Sequence, residues 1–100
     1  MVLVKVADVN DIKDGESKVV SANGELIALY KAKGNFFATT NECPHKGGPL
    51  GEGYLEGEVV TCPWHGWKFN VCTGISPVAP TVGIKTYNVT VQGNNVMIEI

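Results

Sequence analysis

Two short motifs, Cys43-Pro44-His45 and Cys62-Pro63-Trp64-His65, stand sixteen residues apart (46–61) and constrain this chain more than anything else in it. Each offers one thiolate and one imidazole. A fold that brings both motifs to one place must unite two separate loops and present four ligands of two kinds. The spacing leaves two chemistries open. One is an asymmetric two-iron centre, with both sulfurs on one iron and both imidazoles on the other. The other is a tetrahedral Cys2His2 zinc site for protein contacts. Cys72 has no histidine partner and reads as a reduced core or loop cysteine without a role.

The rest of the chain is punctuated by turn signals at short intervals: Asp14-Gly15, Asn23-Gly24, Lys33-Gly34-Asn35, Glu56-Gly57, Thr73-Gly74 and Gly93-Asn94-Asn95. Between them, 2–6, 16–21, 25–31 and 35–39 have strand character. The clearest alternation runs from Lys85 to Gln92, where Tyr87, Val89 and Val91 would face inward, and Val96, Ile98 and Ile100 supply a hairpin partner. The turns are too tight for crossover helices, so the sheets are expected to be antiparallel. Asp8 to Ile12 is the one candidate for a helical turn. The expected fold class is all-β, a single domain over 1–100, with the metal loops inserted between about Asn41 and about Pro80.

The motifs Cys43-Pro-His45-Lys-Gly-Gly and Cys62-Pro-Trp-His65-Gly-Trp, with Lys68-Phe69 and Thr73-Gly74 following in order, closely resemble those of Rieske-type ferredoxins, and the likeness spans nearly the whole chain. The resemblance implies a Rieske fold: an antiparallel β-sheet base carrying an inserted cluster-binding lobe. It implies one [2Fe–2S] cluster per chain, held by Cys43, His45, Cys62 and His65. It also implies that the segment from Gly74 to Pro80, with Pro77 and Pro80, covers the centre. High-potential members carry two further cysteines in a disulfide between the loops and a serine bonded to a bridging sulfide. This chain has Gly48, Trp64 and Trp67 at the matching positions, so the low-potential end of the family range of roughly −150 to +300 mV is expected. Gly47 and Gly48 are expected to let backbone pass close to the metal.

Charge and composition narrow the function. The chain has eight Lys, ten acidic residues and a net charge of −2, which leaves no basic footprint for nucleic acid. No apolar run approaches the eighteen or so residues of a membrane span. An odd cysteine count argues against a secreted disulfide framework, so a soluble, cytoplasmic, monomeric protein is expected. Only two histidines are present, and both are used by the motifs. A second iron site of the two-histidine, one-carboxylate type that activates oxygen therefore has no ligands left. With no Gly-x-Gly-x-x-Gly fingerprint and too few residues for a nucleotide domain, direct oxidation of NAD(P)H is excluded as well.

These exclusions leave a protein that is not itself an enzyme but a one-electron carrier. By family resemblance its donor is a reductase and its acceptor the terminal oxygenase of an aromatic-ring-hydroxylating dioxygenase, met in transient contacts. The alternatives are a small Rieske-like subunit of an NAD(P)H-dependent nitrite reductase and the structural zinc module. Glu42, Glu52, Glu56 and Glu58 fall in or near the metal lobe, where they read as solvated surface more readily than as an acidic docking patch.

Overall fold

A computed structural model of the chain describes residues 2–44, 47–64 and 66–100. Among the described residues ten strands follow in order: β1 (Leu3–Asp8), β2 (Ser17–Ala22), β3 (Glu25–Ala32), β4 (Asn35–Thr40), β5 (Tyr54–Glu56), β6 (Val59–Thr61), β7 (Lys68–Asn70), β8 (Thr86–Tyr87), β9 (Val89–Gln92) and β10 (Asn95–Glu99). They form three sheets, ordered β1-β10-β9, β2-β3-β4-β8 and β5-β6-β7, and every pairing is antiparallel. The all-β, antiparallel expectation is met.

The layering follows from β3. Four consecutive residues, Ile27, Ala28, Leu29 and Tyr30, are buried. Successive side chains on a strand point to opposite faces, so β3 must be covered on both sides. Ile27 and Leu29 join a core with Val20, Ala38, Val96 and Ile98, the base core. Ala28 and Tyr30 join a second core with Cys43, Leu50, Val60, Cys62, Phe69 and Val71. The middle sheet is thus shared between the base and the lobe that carries the two cysteine loops, and both expected ligand cysteines are part of the second core.

Two sequence expectations are corrected. Asp8 to Ile12 is a turn and not helical: the Asp8 carbonyl accepts from the Asp11 N–H at 2.9 Å, and the Asp11 carboxylate accepts from the Asp8 N–H at 3.0 Å. This reciprocal closure satisfies the backbone locally and leaves no helical continuation, while the buried Ile12 pins the turn to the base core. The stretch from Lys85 to Gln92 is not one strand. It breaks at Asn88, so that β8 pairs with β4 in the middle sheet and β9 pairs with β10 in another. The alternation carries across the break, but Val91, expected inward, is exposed because β9 forms a sheet edge. The helical content of the described residues is one short 3-10 turn, Leu50–Glu52.

Candidate metal centre

The two ligand motifs fold into the same turn. In the first, the Cys43 N–H donates to the Gly48 carbonyl at 2.9 Å and the Gly47 N–H donates to the Cys43 carbonyl at 2.7 Å. In the second, the Cys62 N–H donates to Trp67 at 2.7 Å and the Gly66 N–H to Cys62 at 3.1 Å. Each turn is closed between residues i and i+5 and between i and i+4. The fifth residue of each turns the chain back through positive φ, +73° at Gly47 and +74° at Gly66, a region open to glycine at little cost. The local sequence explains the shape: a proline at the second position fixes φ, and a glycine at the fifth permits the reversal.

A third copy of this turn follows, and sequence reading missed it. The Asn70 N–H donates to Ile75 at 2.9 Å, the Gly74 N–H donates to Asn70 at 2.7 Å, and Gly74 has φ +79°. Asparagine stands where the other two turns have cysteine, and its Oδ1 accepts from the Cys72 and Thr73 N–H groups at 2.8 and 3.1 Å. The signal was available in the recurrence of glycine four residues after Cys43, Cys62 and Asn70.

Cys43 and Cys62 are each 2% exposed and lie in one core, whereas Cys72 is exposed on the third turn. No disulfide joins any of the three. His45 and His65, with Lys46 and Met1, lie outside the described residues. Gly48 makes the contact between the turns: a Cβ built on it would lie 2.7 Å from Cys62 Sγ and 3.1 Å from Trp64 Cγ. Any side chain at 48 would fill the space beside that sulfur. The two expected glycine roles therefore separate, Gly47 making the reversal and Gly48 the close approach.

The lobe's own sheet and loops hold these turns. The second turn springs from β6 and returns into β7, and the Lys68 Nζ donates to Thr61 Oγ1 at 2.8 Å across the pair. Trp67 stacks on Phe69, with centroids 6.3 Å apart and planes 21° apart, while Trp64 is exposed. Ser76, 1% exposed, accepts from the N–H groups of Val78 and Ala79 through its Oγ, and its own N–H donates to Val82 at 3.0 Å. This bonding shapes the proline segment so that Ser76, Val78 and Ala79 line a cavity of about 260 Å³ together with Gly66, Trp67 and Lys68. The segment thus borders Gly66 and Trp67 of the second turn.

The core that holds both thiols also holds a buried phenol. Tyr30 Oη is 2.9 Å from Thr39 Oγ1, and burial pushes its pKa well above the ordinary tyrosine range. The hydrogen bond to Thr39 opposes this shift, and the charge of Cys62 adds to it. The acidic residues are more dispersed than their sequence positions suggest. Glu52 and Glu56 line one cleft with Glu16, and Glu42 lines another with Glu25.

Two buried thiols at the same position of matched turns are soft donors that suit a metal preferring sulfur, and the Gly48 backbone lies against one of the sulfurs. The sequence profile of the Rieske [2Fe-2S] domain matches residues 2–88. The chain is 39% identical over 98 residues to the ferredoxin component of the naphthalene 1,2-dioxygenase system of Pseudomonas putida, covering 97% of this chain and 94% of that one. Among solved structures it resembles the Sphingomonas yanoikuyae B1 ferredoxin, with a TM-score of 0.87, 34% identity and 97% of each chain covered. It also resembles a chain in the complex of reduced oxygenase and oxidized ferredoxin of carbazole 1,9a-dioxygenase, with a TM-score of 0.86, 34% identity, and 96% of this chain and 91% of that one covered.

Proposed function

Because this chain belongs to the Rieske [2Fe-2S] domain family, we propose that Cys43, His45, Cys62 and His65 hold one [2Fe–2S] cluster per chain and that the protein carries single electrons from a reductase to a ring-hydroxylating terminal oxygenase. The observation that carries this reading is the placement of Cys43 and Cys62 at the same position of two identically closed turns, buried in one core. When bound, the cluster supplies reversible one-electron chemistry, at a potential above that of an all-cysteine cluster because neutral imidazoles replace two thiolates.

The chain's own residues do the rest. The paired turns fix the two sulfurs, and Gly48 lets the backbone of the first turn lie against the Cys62 sulfur. Val60, Phe69, Val71 and Leu50 exclude water from the protein side, and Trp67 stacked on Phe69 extends that wall. A dry surround holds the ligands in place and limits how much the environment must rearrange when charge changes. Named relatives are ferredoxin components of dioxygenase systems, which supports the choice of acceptor. No helix among the described residues is long and apolar enough to cross a membrane. We assign the protein to the cytoplasm, where reducing conditions suit the exposed Cys72 thiol.

The test is composition and turnover. Anaerobically purified protein should contain about two irons and about two acid-labile sulfides per chain, be red-brown, and give a rhombic paramagnetic signal only when reduced. Reduced protein should then be reoxidised rapidly on mixing with a ring-hydroxylating oxygenase. One zinc ion and no sulfide would overturn the cluster; a loaded protein that no oxygenase reoxidises would overturn the acceptor.

A further inference from the structure

Asn41, 8% exposed, directly follows β4 and stands two positions before Cys43. What it is bonded to gives it a task. The 3-10 turn Leu50–Glu52 follows Pro49, which supplies no side-chain acceptor. Within the turn the Glu52 N–H donates to the Pro49 carbonyl and the Gly53 N–H to the Leu50 carbonyl, both at 3.0 Å. The first N–H groups of a helical turn have no partner inside it, and here those are the N–H groups of Leu50 and Gly51. Both go to Asn41. The Leu50 N–H donates to its carbonyl and the Gly51 N–H to its Oδ1, each at 2.8 Å.

The same turn is wedged against two parts of the fold. Leu50 is buried in the lobe core, while a Cβ on Gly51 would lie 2.6 Å from Val19 Cγ2 and 3.0 Å from the carbonyl carbon of Lys18, so the turn's backbone lies directly on β2. Asn41 is tied to β3 as well, its N–H donating to the Leu26 carbonyl at 3.4 Å. From this foot the pairing continues outward: Glu42 bridges Pro49, and the Cys43 N–H reaches the Gly48 carbonyl. The first ligand turn is thus the end of a short ladder seated on the middle sheet. The second turn stands elsewhere, between β6 and β7 of the lobe's own sheet. Two sulfurs that serve one centre are therefore carried by two sheets, and their spacing depends on how firmly each foot is held. We propose that Asn41 is a positioning residue for the cluster: its carbonyl and its side-chain oxygen clamp the foot of the first ligand loop to the middle sheet and so set where Cys43 stands relative to Cys62. The proposal rests on the reading of both cysteines as ligands and goes beyond it by naming the residue that keeps the two turns in register.

The experiment compares Asn41→Leu, which keeps the branched shape but has no acceptor, with Asn41→Asp, which keeps an oxygen for Gly51. Hydrogen exchange over 48–53 and in β7, release of iron to a chelator, and the rhombic signal of the reduced protein are measured for each beside the wild type. Loss of the buried bond should speed exchange over 48–53 in Asn41→Leu about tenfold, equivalent to roughly 1.4 kcal/mol, while β7 exchanges as before. Iron should leave that variant faster, and its rhombic signal should shift or broaden because Cys43 no longer has one fixed place. Asn41→Asp should return all three to wild-type values. A merely structural role would speed exchange over 48–53 and in β7 alike and leave the signal unshifted. That pattern overturns the proposal, as does a loaded Asn41→Leu with the wild-type signal, or an Asn41→Asp that behaves like Asn41→Leu. Should Asn41→Leu not load, Asn41→Asp decides: loading with the wild-type signal supports the clamp, and failure to load overturns it. Wild-type protein without acid-labile sulfide would overturn the cluster reading, and the clamp on Cys43 would then stand or fall by the exchange over 48–53 alone.

Discussion

The two faces of β3 are packed by different means. Toward the base, Ile27 and Leu29 meet Val20, Ala38, Val96 and Ile98, a core built of hydrocarbon and supplied by strands from both ends of the chain. Toward the lobe, Ala28 and Tyr30 meet two thiols and a handful of apolar residues carried on three-residue strands and turns. Burial of apolar area stabilises the first face without help. The second face buries two large rings, Tyr30 and Phe69, beside the two thiols, and depends on closed turns and, by our reading, on metal bonds. The difference teaches that one strand can serve a self-sufficient core and a ligand-dependent one at once, because a strand's two faces are energetically separate.

The strongest test of that separation is Cys62→Ser. We expect complete loss of iron and much faster hydrogen exchange in β5, β6 and β7, while β1, β3 and β10 stay protected, since the base core contains no ligand. Both cores opening together would break the comparison. Next in size are cavities on either face. Ile27→Ala should cost about 2–5 kcal/mol of global stability in urea unfolding, and Leu50→Ala should cost a similar amount that appears in lobe protection first. If Leu50→Ala lowers the base and lobe equally, the two faces are one cooperative unit.

A smaller effect comes from the third turn. Asn70→Ala deprives the exposed Cys72 and Thr73 N–H groups of their acceptor and should cost about 0.5–1.5 kcal/mol, read as earlier lobe unfolding with iron content retained. Loss of iron in that variant would mean that the third turn is part of the centre and not merely its neighbour. The smallest effect is expected at the base surface. Lys5→Ala removes the 3.0 Å pair with Asp8, whose partners are both half exposed, and should change the unfolding free energy by at most about 1 kcal/mol. A larger loss that vanishes in high salt would show the base leaning on surface charge as well as on hydrocarbon.

How far the fold could be read in advance depended on the range of the contacts involved. The first four strands were legible to within one or two residues because hairpin turns such as Asn23-Gly24 and Lys33-Gly34 lie between them and supply the positive φ that tight reversal needs. The turn at Asp8 to Ile12 was misread as helical because a few polar and apolar residues satisfy either closure, and the bond between Asp8 and Asp11 decided it. Asn88 gave no warning of the break that sends β8 and β9 to different sheets. The unbroken apolar run from Leu26 to Tyr30 did carry the signal of a strand covered on both faces.

The sequence by itself determined the all-β class and the two closed cysteine turns, because each turn is closed within six contiguous residues by a cysteine, a proline and a glycine in set order. Only the tertiary structure decided that β1 pairs with β10, that β3 is buried twice over, and that a buried phenol bonded to Thr39 shares a core with both buried cysteines. Those facts arise from pairing between strands far apart in the chain. Their energy comes from surfaces that exist only once the strands have met, so no local pattern can encode them.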